Sequence, residues 1–299
     1  MRNEFFEELV QLFRTDESLF FLTGDTGFNL VEPIFKIAPK RALNVGVAEQ
    51  NMIGIASGLA NAGFVPVCYA ITNFLIERCF EQIRNDICLH KYKTILVGTS
   101  TGYDNGPLGP THHKLDDIGA VKVLPNLRVY SPSGKKSISL TLKEALDVDT
   151  ASFIRISKRG IDEGKTVEDI NHFIYQSEFH SVLVISHGAM VGNAMKAYDI
   201  YPHFSLFAMD RIKPLSKKKL QHLFDHYETI VILEDNFNSG LFNSICQWAV
   251  ENRKIDRELV SIAPEERYEI TVGDFEYLEK KHKLSPDEIV KKIRKLNEN

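Results

Sequence analysis

The chain has 299 residues, 43% of them apolar, enough to bury a full core and, at this length, two domains. A formal net charge of -4 argues against nucleic acid or an anionic membrane surface as the main partner. Cys68, Cys79, Cys88 and Cys246 fall at neither metal-ligand nor redox-motif spacing, no secretory leader is read at Met1, and no apolar run reaches the ~18 residues of a membrane span. The expectation is a cytoplasmic protein with reduced thiols and no metal site of its own.

Strand-like runs at 18–23, 41–47, 65–70, 94–99, 127–130 and 152–156 alternate with helical patterns around 49–61, 75–90 and 134–146. The run at 41–47 reads as short and buried. Residues 158–178 turn polar and lose periodicity, which places a boundary between a domain over 1–165 and another over 176–299. The second unit offers strands at 181–186, 204–209, 229–233 and 259–262, with helices around 191–198, 217–226 and 240–252. Ser285-Pro286-Asp287-Glu288 announces a terminal helix by a capping box with proline at its first position, and the lysine-rich stretch that follows reads as amphipathic. The expected fold class is α/β: two domains, each a mostly parallel sheet with helices on both faces.

Three clusters fall at the carboxyl ends of first-domain strands, where ligands of open α/β sheets lie. The first is Glu49, just where a strand gives way to a helix. A carboxylate in such a low-dielectric crevice suits proton exchange, although a first-turn glutamate stabilised by the helix dipole reads the same way. The second cluster contains Phe74, which reads either as a core aromatic or as a ring stacked on a flat ligand. The third is the loop 98–115, holding Gly106-Pro-Leu-Gly-Pro-Thr-His112-His113. A loop this rich in glycine and proline, ending in adjacent histidines, suits proton transfer or hydrogen bonding to substrate oxygens; solvated histidines are the plain alternative. Gly54 and Gly58 share a helix face and allow close approach, at a subunit seam or internally. Gly24-Asp25 with Asn51 only imitates a Gly-Asp-Gly…Asn magnesium-diphosphate motif, because Thr26 replaces the second glycine.

Gly46-Val-Ala-Glu-Gln-Asn-Met52, Phe80-Glu-Gln-Ile-Arg-Asn85 and Gly109-Pro-Thr-His112 together resemble the transketolase family of thiamine-diphosphate enzymes. The resemblance covers the carboxyl-terminal half of such enzymes, a pyrimidine-binding domain followed by the carboxyl-terminal domain. It implies a subunit of a split transketolase, a transferase moving a two-carbon ketol unit from a ketose to an aldose. The thiamine diphosphate would be shared with a separately encoded amino-terminal subunit, which also holds Mg2+, in an (αβ)2-like assembly. By the resemblance, Glu49 hydrogen-bonds the aminopyrimidine, Phe74 and Ile71 line its face, Asp25 approaches the cofactor across the subunit seam, and His112 and His113 meet substrate oxygens. Ser157-Lys158, with Arg155 and Arg159 near it, stands where the family contacts a substrate phosphate.

Two departures bear on the sugar. Leu108 replaces an aspartate that meets the donor sugar hydroxyl, and Ser100 replaces a substrate-binding histidine. Leaving a hydroxyl unpaired weakens binding, so the pocket is expected to suit a less hydroxylated or modified sugar. Rival readings are the β-subunit of a 2-oxoacid dehydrogenase, a synthase condensing pyruvate with a sugar aldehyde, and a non-catalytic regulatory subunit that keeps the fold.

Overall fold

Apolar β-branched runs with no polar alternation need cover on both faces, and here they get it from helices. The computed structural model describes residues 1–162, 167–177 and 181–298, which form two sheets. The first contains β1 (Leu19–Thr23), β2 (Ala42–Asn44), β3 (Val65–Ile71), β4 (Ile95–Thr99), β5 (Leu127–Tyr130) and β6 (Ala151–Ile156). The second contains β7 (Asn171–Tyr175), β8 (Val182–Ser186), β9 (Ser205–Met209), β11 (Thr229–Leu233) and β12 (Glu258–Ile262). The short strand β10 (Arg211–Lys213) belongs to the second half of the chain but joins the first sheet, antiparallel to β5. The strand orders are β10-β5-β6-β4-β3-β1-β2 and β12-β11-β8-β9-β7. All pairings are parallel except β10 with β5 and β7 with β9. The expected fold class therefore holds, with an antiparallel strand closing one edge of each sheet.

Helices α1 (Arg2–Thr15), α2 (Glu32–Ile37) and α6 (Lys135–Asp147) pack on one side of the first sheet, in one core with the outward-facing residues of β1 and β3. Phe5, Leu9 and Phe13 recur every fourth residue along α1 and are buried, and Phe6 meets the Phe21 and Tyr69 rings edge-on. On the other side, α3 (Glu49–Asn61) buries Met52, Ile53 and Ala56. The segment read as one helix over 75–90 is instead two π-helical turns, Asn73–Glu77 and Ile83–Cys88, around the short helix α4 (Phe80–Gln82). Such widened turns concentrate at functional sites because they re-aim side chains. Next comes α5 (Asp117–Val121), and the second sheet is covered by α7 (Ala189–Ile200), α8 (Lys217–His226), α9 (Leu241–Glu251), α10 (Phe275–Lys281) and α11 (Pro286–Asn297).

Three expectations need correction. The strand read at 41–47 as buried is only Ala42–Asn44, and its Leu43 and Asn44 are exposed, because it forms the outer edge beyond β1. The polar stretch 158–178 is not all connector: β7 lies within it, and its loss of apolar character reflects an edge strand whose residues after Asn171 are only half-buried. Residue 165, the expected end of the first domain, lies outside the described residues. At α11 proline occupies the first turn as expected, but the Ser285 hydroxyl makes no capping hydrogen bond.

The two sheets are tied by charge. Arg155 on β6 is fully buried, with Nε donating to Asp117 at 2.8 Å and Nη1 to Asp235 beyond β11 at 2.8 Å. Asn236 donates to the other oxygen of Asp117 at 2.9 Å. Gly102 sits against this cluster with φ +54°, and a Cβ there would come within 2.4 Å of Asp235 Oδ2, so only glycine fits. Replacing Arg155 by Met strands two buried carboxylates. The expected cost is about 3–5 kcal/mol in urea unfolding of the chain, and a loss below about 1 kcal/mol would contradict this account of the seam.

Candidate active site

Glu49 begins α3 beyond the end of β2, and it is almost fully buried. Close approach is possible because Gly24, at the end of β1, has no side chain: a Cβ there would lie 3.2 Å from Glu49 Oε1. A carboxylate taken out of water needs a counter-charge. It is supplied by Arg78, whose Nη1 lies 2.5 Å from Glu49 Oε2. The same guanidinium stacks over the Phe74 ring, 4.5 Å from its centroid. Gln50 secures this turn by donating to the Arg78 carbonyl at 3.0 Å.

Phe74 in turn meets the His112 ring edge-on at 5.6 Å. His112 Nδ1 lies 3.0 Å from the Thr111 hydroxyl, and its Nε2 has no hydrogen-bond partner among the described residues. The three clusters read from sequence are thus joined side chain to side chain: Glu49 to Arg78, Arg78 to Phe74, Phe74 to His112. The backbone supports this join, since Thr72 Oγ1 donates to the Thr99 carbonyl at 2.8 Å and Asn73 Nδ2 donates to the Thr111 carbonyl at 3.0 Å. Burial and the neighbouring Glu49 carboxylate push the Cys79 thiol up to about 12, so it stays protonated and is no nucleophile.

At the rim, Asp25 adopts φ 57° and pairs with Asn44 rather than Asn51. The Asn44 amide donates to Asp25 Oδ1 at 2.9 Å, and its oxygen accepts from Asp25 N and Gly46 N. Ile71 ends β3, half-buried. Leu108 is 58% exposed on the loop and its side chain carries no polar atom.

Other expected residues go elsewhere. Arg155 is consumed by the seam between the sheets and cannot reach a substrate phosphate. Lys158 is held by the loop: its Nζ donates to the Asp104 carbonyl and to Asn105 Oδ1, and its N–H to Asp104 Oδ2. Ser157 Oγ donates to the same carboxylate at 3.0 Å. The serine–lysine pair thus shapes the loop from behind. Ser100 is buried with φ 66° and turns the chain out of β4. His113 is also buried, with Nε2 3.1 Å from the Gly106 carbonyl, and it lines a cavity of about 220 Å³ with Asn73, Thr111, Asp116 and Glu269. Its Nδ1 and Asn73 Oδ1 are buried without partners among the described residues, polar atoms that suit a bound water or substrate group.

Sequence reasoning missed Arg78, Lys114 and Asp104. Lys114 is fully buried and pairs with Glu77 and, at 2.6 Å, with Asp116. Burial alone would lower its pKa, but Asp117 and Asp116 outweigh it and hold the ammonium charged. A lysine directly after two loop histidines was the available signal. For Arg78 none existed, because its partner is 29 residues away.

The crevice can be tested for a flat cationic heterocycle on the contacts Arg78 makes. A planar, nitrogen-bearing group already stacks on Phe74 while an N–H donates to Glu49. An aminopyrimidine ring offers the same face and the same donor, so the donor set fits thiamine diphosphate. Among the described residues no cluster of three or more His, Cys, Asp or Glu is placed to hold a metal ion. No helix among the described residues is long and apolar enough to cross a membrane.

The model of the transketolase pyrimidine-binding domain family matches residues 1–162, and the chain belongs to that family. It is 27% identical to a subunit of the apulose-4-phosphate transketolase of Actinobacillus succinogenes, over 89% of this chain and 88% of that one. It is 30% identical to the 1-deoxy-D-xylulose-5-phosphate synthase of Dictyoglomus turgidum over 85% of this chain but only 42% of the synthase, so it spans less than half of that enzyme. A solved structure described as a split-gene transketolase, an inactive beta4 tetramer, superimposes with a TM-score of 0.84 at 22% identity, covering 98% of this chain and 96% of that one.

The geometry separates the two histidines. Alanine at His112 should change unfolding stability by no more than about 0.5 kcal/mol, since it loses one local hydrogen bond at a half-exposed site. Alanine at His113 should cost about 1–3 kcal/mol, because it removes a buried ring and its hydrogen bond to the Gly106 carbonyl, which keeps only the Gly109 N–H. Equal costs in denaturant titrations would show that the loop is not built as described.

Proposed function

We propose that this chain is the carboxyl-terminal subunit of a thiamine-diphosphate-dependent transketolase-like enzyme that passes a two-carbon ketol unit from a ketose to an aldose. The observation that carries the reading is Glu49, buried and within reach of a planar cation stacked on Phe74. The nearly end-to-end similarity to one subunit of an apulose-4-phosphate transketolase supports it. When bound, thiamine diphosphate supplies a nucleophilic carbon for ketose carbonyls. Glu49 and Phe74 would take the aminopyrimidine in place of the two contacts now made by Arg78. Glu49 Oε2 then exchanges a proton with a ring nitrogen, and Phe74 with Ile71 keeps water from one ring face. His112 offers Nε2 to a substrate oxygen, and His113 and Asn73 offer the polar atoms of the cavity beside it. With Leu108 offering no hydrogen-bonding side chain and Ser100 only a short, buried hydroxyl at the expected points, a modified or less hydroxylated sugar fits best.

The diphosphate and Mg2+ are assigned to an amino-terminal partner subunit in an (αβ)2-like cytoplasmic assembly. Phe28, Val47, Leu108, Tyr268, Ile270 and Val272 are large apolar side chains left exposed, available to such a partner. Leu108 and Val272 lie close together: a Cβ on neighbouring Gly109 would sit 3.4 Å from Val272. Among the described residues nothing outside the helix backbone lies within 4 Å of a Cβ placed on Gly54 or Gly58, which leaves that face of α3 open to a second chain. Asp25, exposed at the same end of the sheet, is the acidic group placed to cross that seam.

The test mixes the purified chain with a Gly-Asp-Gly…Asn partner, thiamine diphosphate and magnesium, and follows consumption of ketose donors and, for the rival synthase, pyruvate. The complete mixture turns over a ketose and the chain alone does not. Glu49→Gln lowers kcat by about 10²–10⁴-fold while the subunits still associate. Full turnover by Glu49→Gln, or by the chain alone, sinks the reading.

A further inference from the structure

A cavity in the second domain has no part in the chemistry above. Its volume is about 330 Å³, at the small end of the range for small-molecule sites. Ser261, Ile262 and Ala263 line it at the carboxyl end of β12, the sheet edge where α/β folds place ligands. One wall is α11. Glu288, Lys291, Lys292 and Lys295 recur there at i, i+3, i+4 and i+7 and share one face, while Ile289, Val290 and Ile293 bury the other. The opposite wall brings Arg267, Lys281 and Lys283.

The charge of this cavity runs against that of the chain. Six cations and two carboxylates line it, in a protein whose formal net charge is -4. Three of the cations are compensated: Lys281 by Glu269 at 2.9 Å, Arg267 by Glu265 at 3.4 Å, and Lys291 by Glu288. Among the described residues Lys283, Lys292 and Lys295 have no carboxylate partner. Like charges held around one concavity repel, and a cleft of one sign concentrates anions. Cations in the last turn of α11 also favour its dipole, but that stabilises Lys295 alone and not Lys283 or Lys292.

We propose that this cavity binds a small phosphorylated molecule, its phosphate held by Lys283, Lys292 and Lys295. The volume suits a sugar phosphate or a mononucleotide. The proposal does not depend on the transketolase reading, and its test uses neither partner nor turnover.

Calorimetric titration of the chain at 0.1 M ionic strength would use ribose 5-phosphate, AMP and inorganic phosphate as probes, with sulfate as the control dianion. One equivalent of a phosphorylated probe should bind at least about tenfold more tightly than sulfate. The Lys292→Glu/Lys295→Glu variant should weaken it about tenfold or more, and Lys217→Glu/Lys218→Glu on α8 should leave it unchanged. Preference for ribose 5-phosphate or AMP over inorganic phosphate assigns an ester; equal binding assigns free phosphate. Should the double charge reversal lower the melting temperature, Lys283→Gln reads the same loss with less disturbance. No binding, binding no tighter than sulfate, or binding indifferent to the α11 and Lys283 substitutions overturns the proposal.

Discussion

A carboxylate buried where a strand hands over to a helix must be given a counter-charge, and much of the first domain is arranged around how Glu49 gets one. The Arg78 guanidinium reaches it from the residue that ends a π-helical turn, with its central carbon over the Phe74 ring. That single stacked ion pair joins the ends of β2 and β3, and Phe74 passes the contact to His112 on the loop after β4. Gly24 keeps its space clear. The π-helical irregularity at Asn73–Glu77 sets the direction from which Phe74 and Arg78 approach, so the departure from a regular helix is part of the site.

Around this crevice lies a frame of buried charge that serves position, not chemistry. Arg155, Asp117 and Asp235 fasten the two sheets together, and Lys114 with Glu77 and Asp116 fastens the histidine loop to the π-helical turn. Breaking either group would leave an uncompensated charge in the interior, which is why such clusters hold one arrangement so firmly. Asp104 does the same for the loop's far side by accepting from Ser157 and Lys158.

Much of the frame was legible in the residues. The helix over 49–61 and the strands over 127–130 and 229–233 fall where periodicity placed them, because long buried strands and amphipathic helices announce themselves locally. Of the four edge strands β12 did, and the other three did not. β7 is too polar and β10 too short to show a period, and β2 is exposed, since an edge strand needs only one covered face. The three clusters at the strand ends were legible because they follow strands, and they do converge. The roles of Arg155 and Lys158 were not, because a basic residue looks the same whether it awaits a phosphate or neutralises a distant aspartate. Arg78 was hidden for the same reason: only the folded chain shows which carboxylate it faces.

If Glu49 and Phe74 form the aminopyrimidine pocket, the cofactor must take both contacts from Arg78. A crystal structure of the chain with the proposed amino-terminal partner and thiamine diphosphate tests this most directly. The expected result is the aminopyrimidine on the Phe74 face, a ring nitrogen within hydrogen-bond distance of a Glu49 oxygen, and the Arg78 guanidinium displaced from both. A structure in which the cofactor is bound while Arg78 still pairs with Glu49 over Phe74 would contradict it.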